Sequence, residues 1–246
     1  MIMTLMNLKK YSQHFIELKM RLIYCLIVIL LLFIISFINK EKLLYILIKP
    51  LSKISTKQLI YTNIIDGFLT YINISFIFSI IFAIPFILWQ IFLFIKPGLY
   101  KFELLIAKII LLGSPLLFLF SIIFVYLSVI PKAWSFFYSF QDANLILLPN
   151  VNEYISLSIT IFIAFMIAFQ MPIIIIILNI LNLITIEQLY LYRRIMIFIN
   201  FVIAGILTPP DIISQFMMAI PLILMYEAAI IICRIIKNYQ KKYARH

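Results

Sequence analysis

The amino-acid sequence predicts an all-α integral membrane protein, with six transmembrane helices in one membrane domain, kinked into a concave bundle, and with the last two helices short. Three observations predict it. The first is composition. Of 246 residues, 65% are hydrophobic and 12% charged, and the mean hydropathy is +1.17. Soluble domains run about half apolar and about a quarter charged. A water-soluble globule cannot hide so much apolar surface, and disorder requires the opposite balance. The second is a set of six runs without an ionisable residue. The third is a proline inside each of four runs, Pro85, Pro115, Pro172 and Pro221; each removes a backbone bond and bends its helix, which suits a curved bundle.

The uncharged runs cover 22–39, 67–95, 109–131, 154–186, 195–210 and 212–226. A helix needs about 20 apolar residues to cross a core of about 30 Å, and the first four runs are long enough. The first span, 22–39, is not a cleavable signal peptide, being too long, preceded by an acid and without a small-residue cleavage site. The next two are placed at 68–95 and 105–130. The fourth run has 33 residues, about 50 Å as a helix, so one end projects or is irregular; the span is placed at 155–183. The last two runs are divided by Asp211. A single span there would put Thr208-Pro209-Pro210-Asp211 in mid-membrane, where paired prolines break a helix and an ionised Asp costs about 3 kcal/mol. A tight turn between two short spans, 195–208 and 213–233, is the better reading. Between the first two spans, Lys40–Lys57 alternates lysine with apolar residues at helical spacing and fits an amphipathic helix lying along the outer surface. There is no internal repeat and no long linker, so residues 1–246 read as a single membrane domain.

Six spans put both termini on one side. That side collects fourteen of the twenty Lys and Arg residues, so the termini are expected to face the cytoplasm, matrix or stroma. The two histidines, His14 and His246, lie near the ends, and Cys25 and Cys233 sit in separate apolar runs as small fillers. Neither type forms a metal-ligand spacing, only four glycines exist to build a phosphate cradle, and no nucleophile motif occurs. No enzyme and no cofactor is expected. The excess of Ile, Phe, Lys, Asn and Tyr, whose codons are A/T-rich, points to an organelle's or a reduced bacterium's genome.

Four groups of residues carry more specific information. On an N-terminal helix Tyr11, Phe15, Leu18 and Leu22 share one face, while His14, Glu17 and Arg21 share another. Glu17 either pairs with Arg21 one turn away or waits at the membrane surface for a cationic partner. After the second span, Lys96-Pro97-Gly98 is a turn signal. Glu103 then opens the third span, where the helix dipole favours a carboxylate. Yet Glu17 and Glu103 are expected on the same membrane face; with Glu187 they are its only acids among cationic segments. Two such acids suit paired arginines, because guanidinium and carboxylate bond bidentately. Gln170 lies mid-run just before Pro172, where it either seeks a partner across helices or satisfies backbone freed by the proline.

Taken together, these residues resemble the TatC family, the C subunits of twin-arginine protein translocases, including organelle-encoded versions. The resemblance covers almost the whole chain. It rests on His14-x-x-Glu17-Leu18-x-x-Arg21; on Pro50-Leu51; on Pro85-Phe86-Ile87-Leu88-Trp89-Gln90-x-x-x-Phe94-x-x-Pro97-Gly98-Leu99-Tyr100-x-x-Glu103; on Phe169-Gln170-Met171-Pro172 and Arg193-Arg194; and on Thr208-Pro209-Pro210-Asp211-x-x-Ser214-Gln215, Ala219-Ile220-Pro221 and Tyr226-Glu227. The sequence departs from the pattern at Lys19, where the family usually has Arg, at Gln170, where many bacterial members have Glu, and at Asp66, a frequent Glu. A family glycine near the end of span four is missing.

The resemblance implies a receptor that moves folded proteins across an energy-transducing membrane on the proton-motive force. It implies a glove-like bundle that binds twin-arginine signal peptides through Glu17, Leu18, Lys19, Arg21, Phe94, Pro97, Leu99, Tyr100 and Glu103. Gln170, Pro172, Thr208, Pro210, Asp211 and Gln215 would line the concave face and meet TatA-type, and where present TatB-type, single-span partners; Pro50, Pro85 and Pro221 would be structural. It implies copies of the chain in a larger complex, membrane lipid as surroundings, and no cofactor, metal or nucleic acid. Other classes compatible with the composition are a proton- or solute-coupled secondary transporter and a structural subunit of a respiratory complex. A transporter usually carries mid-membrane ionisable groups or repeated halves, and here the span interiors hold no acid except Glu227.

Overall fold

The computed structural model describes residues 2–52, 59–61, 63–139, 150–207 and 212–243. It is built of helices: α1 (Ile2–Ile38), α2 (Lys40–Ser52), α3 (Asp66–Ile95), α4 (Lys101–Phe124), α5 (Ile130–Tyr138), α6 (Val151–Ala168), α7 (Met171–Ile180), α8 (Ile186–Leu191), α9 (Arg193–Leu207) and α10 (Ile212–Tyr243). Among the described residues the only extended pairing is one bridge between Ile60 and Asn150. Among the described residues, five helical stretches are long and apolar enough to cross a membrane: Phe15–Ile38, Asp66–Gly98, Glu103–Tyr138, Val151–Ile180 and Gln215–Tyr239. The expected fifth span is α9. At 15 residues it is about 22 Å long, short of the hydrocarbon thickness.

The prolines act unequally. α3, α4 and α10 run through Pro85, Pro115 and Pro221, and α2 through Pro50, without interruption. Two other prolines do alter the helix. Before Pro131 the chain widens into a π turn over Val125–Val129, and the Ile130 N–H donates to the carbonyl of Val125. The wide turn accommodates a residue that lacks an N–H and whose ring collides with the carbonyl four back. The helical path therefore continues to Tyr138, past the expected end at 130. At Phe169–Gln170 the fourth span breaks, and Pro172 sits in the first turn of α7.

The end of span four is set locally. Asn182 takes φ +56°, the left-handed conformation that asparagine tolerates. The N–H groups of Leu183 and Asn182 then donate to the carbonyls of Leu178 (2.9 Å) and Asn179 (3.1 Å), a Schellman closure. No glycine is needed there because Asn182 does its work. Three residues on, Thr185 and Gln188 form a reciprocal capping box that starts α8. α10 extends to Tyr243, beyond the expected limit of 233, and within it Glu227 is held by Arg193 at 2.5 Å.

The chain forms two compact units. The first comprises Met1–Leu44 and Phe68–Leu111, that is α1, the start of α2, almost all of α3 and the first half of α4. Within it Arg21 bonds Gln90 and the Lys40 ammonium lies over the Tyr71 ring at 4.8 Å. Arg21 and Lys40 are nineteen residues apart, as are Gln90 and Tyr71, so α1 with the start of α2 runs antiparallel to α3. On α3, Thr70, Ile74, Ser75, Ser79 and Ala83 are buried, and the Ser75 and Ser79 hydroxyls donate to the carbonyls of Tyr71 and Phe76 in their own helix.

The second unit comprises Tyr45–Gly67 and Leu112–His246. Its core is aromatic: Phe120, Phe124, Phe165 and Phe169 interlock at centroid distances of 5.7–6.1 Å. At one end the hydroxyls of Tyr126 and Tyr154 donate to the carbonyls of Ile46 (2.9 Å) and Leu47 (2.7 Å). Buried Asp66 accepts from Asn150 at 3.1 Å there, and Trp134 packs on Tyr154. At the other end the buried Tyr226 hydroxyl donates to the Leu189 carbonyl (2.7 Å).

Candidate functional site

In the first unit α1 carries the N-terminal acid. Arg21 donates through Nε (3.1 Å) and Nη2 (2.7 Å) to Oε1 of Glu17, and through Nη1 to Oε1 of Gln90 (3.0 Å). The pair expected one helical turn apart is therefore present, and Gln90 anchors it to α3. Four residues along each antiparallel helix, about 6 Å, separate this anchor from Glu17 and from Phe94, which puts those two at one level. Leu18 and Lys19 are exposed beside Glu17.

Beyond Phe94, Lys96-Pro97-Gly98 forms one 3-10 turn closed by the Leu99 N–H on the Lys96 carbonyl. Tyr100 then starts α4, with its ring 79% exposed, and its N–H donates to Oε2 of Glu103 (2.9 Å). Glu103 thus occupies the position of the acid in a capping box. Its carboxylate is oriented by backbone and, with four lone-pair sites, retains capacity for further donors. Glu17 and Glu103 are both half-buried in the same unit. Glu17 is held by two hydrogen bonds from Arg21 and Glu103 by one from the Tyr100 amide, so both carboxylates are oriented acceptors.

In the second unit Gln170 stands at the break between α6 and α7. Its Oε1 accepts from the Ser114 hydroxyl (2.8 Å) and its Nε2 donates to the Ser114 carbonyl (3.3 Å). Of the two expected roles the structure realises the cross-helix bond, made to this chain's own α4 beside Pro115. Pro172 is buried. Gln215 donates to the Phe201 carbonyl at 3.1 Å, bracing the α9–α10 hairpin. Thr208, Pro210 and Asp211 lie outside the described residues. Of the structural prolines, Pro50 is buried, Pro221 half-buried and Pro85 exposed.

Two acids of this unit, Glu187 and Glu227, are engaged. Lys237 donates to Glu187 at 3.1 Å, and Arg193 holds Glu227. The Glu187 carboxyl is held below the ordinary carboxylate range, first by its own backbone amide, then by the Lys237 ammonium and the Thr185 hydroxyl. Among the described residues no three His, Cys, Asp or Glu side chains cluster as metal ligands would. Sequence reasoning passed over two partners, Gln90 and Ser114. Gln90 lies inside the quoted Pro85–Glu103 block, and its signal is an amide among apolar neighbours near the end of its helix, the kind of signal that singled out Gln170. Ser114 carries no such mark.

The fold and this site define a polytopic, all-helical integral membrane protein with anionic acceptors at one end of its first helices. The chain belongs to the TatC family: residues 13–221 match the family described as Sec-independent protein translocase protein (TatC). It is 44% identical over 240 residues to the Sec-independent protein translocase protein TatC of Rickettsia prowazekii (strain Madrid E), covering 95% of this chain and 96% of that one. It is 34% identical over 232 residues to the tatC-like protein ymf16 of Reclinomonas americana, covering 92% and 88%. A crystal structure of a twin-arginine translocase receptor, TatC, superposes with a TM-score of 0.73 at 36% identity, covering 91% of this chain and 99% of that chain.

Proposed function

We propose that this chain is the receptor subunit of a twin-arginine translocase, binding twin-arginine signal peptides and gathering single-span partners so that folded proteins cross the membrane on the proton-motive force. The observation that carries the proposal is the likeness, over nine-tenths of the chain, to a solved twin-arginine translocase receptor. Family membership places the chain in a Tat complex with other subunits, in a bacterial or organellar membrane. The transporter reading is not favoured by relatives that bear translocase names.

In this reading Glu17 and Glu103 take the two guanidinium groups of the signal peptide. Arg21 and Gln90 fix the Glu17 side chain, and Tyr100 fixes Glu103. Leu18, Lys19, Phe94, Pro97 and Leu99 border the same peptide. Gln170, Pro172, Thr208, Pro210, Asp211 and Gln215 form the partner-helix surface, both termini face the cytoplasm, matrix or stroma, and several copies assemble. The Ser114–Gln170 bond sets a condition on this. A TatA-type helix that engages Gln170 must displace or share it, at a cost of about 1 kcal/mol for a membrane hydrogen bond.

Pull-down of the detergent-solubilised protein on a twin-arginine peptide and on its twin-lysine version tests the reading. Preferential retention on the arginine form is expected. Glu17→Gln and Glu103→Gln should each weaken it by about 1.5–3 kcal/mol, tenfold or more. Equal retention on both peptides refutes the receptor assignment; preserved binding by both variants refutes the residue assignment alone.

A further inference from the structure

The α2 helix has two faces of different character. On one, Leu43, Leu47 and Pro50 are buried, and the carbonyls of Ile46 and Leu47 accept tyrosine hydroxyls. On the other, Lys42, Tyr45 and Lys49 follow at intervals of three and four residues and so form one stripe. All three are exposed, Tyr45 by 68%, and Ile46 beside them is exposed too. The stripe continues an imbalance in the sequence, since residues 40–57 hold five lysines against the single acid Glu41. Further along, Ile64 is fully bare and Ile65 exposed, in the turn that enters α3. That turn precedes Asp66, where a membrane-crossing stretch begins, and α2 follows directly on the end of another at Ile38. Both features therefore lie at one membrane boundary.

Bare isoleucines in a turn are at odds with water but not with acyl chains. Lysines with a tyrosine between them suit the headgroup layer, where long stems lie along apolar surface and the ammonium stays in the polar region. The two lysines are two helical turns apart, about 10 Å, enough to hold two phosphates without crowding. We infer that the Lys42–Tyr45–Lys49 stripe binds anionic phospholipid headgroups, with the Ile64–Ile65 turn seated in the acyl boundary of the same leaflet. The inference stands apart from signal-peptide recognition and survives or fails without it.

The test uses the purified full-length chain in zwitterionic detergent, titrated with fluorescent phosphatidylglycerol and, for comparison, phosphatidylcholine. The unaltered chain should prefer phosphatidylglycerol. Lys42→Gln and Lys49→Gln should each lower that affinity about fivefold, Lys42→Arg with Lys49→Arg should keep it, and Lys241→Gln with Lys242→Gln, at the far end of α10, should leave it unchanged. Unchanged affinity in Lys42→Gln with Lys49→Gln overturns the proposal, as does an equal loss in the α10 variant. A tryptophan probe at Ile64→Trp checks the seating in vesicles. Quenching by brominated acyl chains is expected, and quenching by aqueous iodide overturns it.

Discussion

The two units solve the problem of holding helices together in lipid differently. In the first unit only 11% of the most apolar stretch of α1 is buried, whereas 44% of the Val151–Ile180 stretch in the second unit is. Lipid tails are as apolar as leucine, so no hydrophobic force drives helices together, and packing and hydrogen bonds must do it. The second unit meets this with interlocked phenylalanines and tyrosine hydroxyls tied to carbonyls at both ends. The first ties α3 to α1 and to the start of α2 through the Arg21–Gln90 bond and the Lys40 ammonium over Tyr71. The proposed peptide-binding residues sit on the lightly buried unit. The polar residues of the second unit proposed for partner contact, Gln170 and Gln215, already have partners in the chain. On the proposed function, recognition would fall to the lightly buried unit and rigidity to the packed one.

The comparison is broken most directly by truncation. Phe165→Ala, at a fully buried position, should cost about 3–5 kcal/mol. Leu26→Ala on α1, whose side chain is 59% exposed, should stay within about 0.5 kcal/mol. Unfolding in mixed detergent and dodecyl sulfate micelles measures both, and similar costs would abolish the distinction between the units. Next in size is Tyr226→Phe, which strands the buried Leu189 carbonyl and should cost about 1–3 kcal/mol in the same assay; a neutral result would mean that the aromatic packing alone suffices. Gln170→Leu should cost about 1 kcal/mol by loss of the Ser114 bond. If its stability is unchanged while export falls, Gln170 serves a partner and not the scaffold.

The smallest effect concerns the Glu187–Lys237 pair. The carboxyl's folded pKa is depressed, so its contribution is fully present above the ordinary carboxylate value and is lost as pH falls through the depressed one. Because Glu187 is fully exposed, the loss should be slight. It is read as the difference between the unaltered chain and Glu187→Gln across an acid titration of the unfolding midpoint. A gap between the two that widens as pH falls contradicts the sign.

Much of the site was legible because it is local. Glu17 and Arg21 are one turn apart, and the Pro97-Gly98 turn and the Glu103 cap lie within eight residues. Boundaries were less legible: the third span continues past the expected 130 because a π turn absorbs Pro131, and α10 runs on past the expected 233 to Tyr243.

By itself the sequence determined the class of protein, the position of the apolar stretches, the turns and caps, and, through its motifs, the family. These depend on composition and on patterns a few residues long, and the bilayer reads them directly as length and hydropathy. Only the tertiary structure decided that Gln90 anchors Arg21, that Ser114 takes Gln170, that Tyr154 reaches the Leu47 carbonyl, and that α1 lies open while α6 and α10 are packed. The reason is the solvent. In water a helix marks its inner face with apolar residues, but here both faces are equally apolar. Which side packs is then settled by the fit of side chains from distant parts of the chain, and hydropathy carries no trace of it.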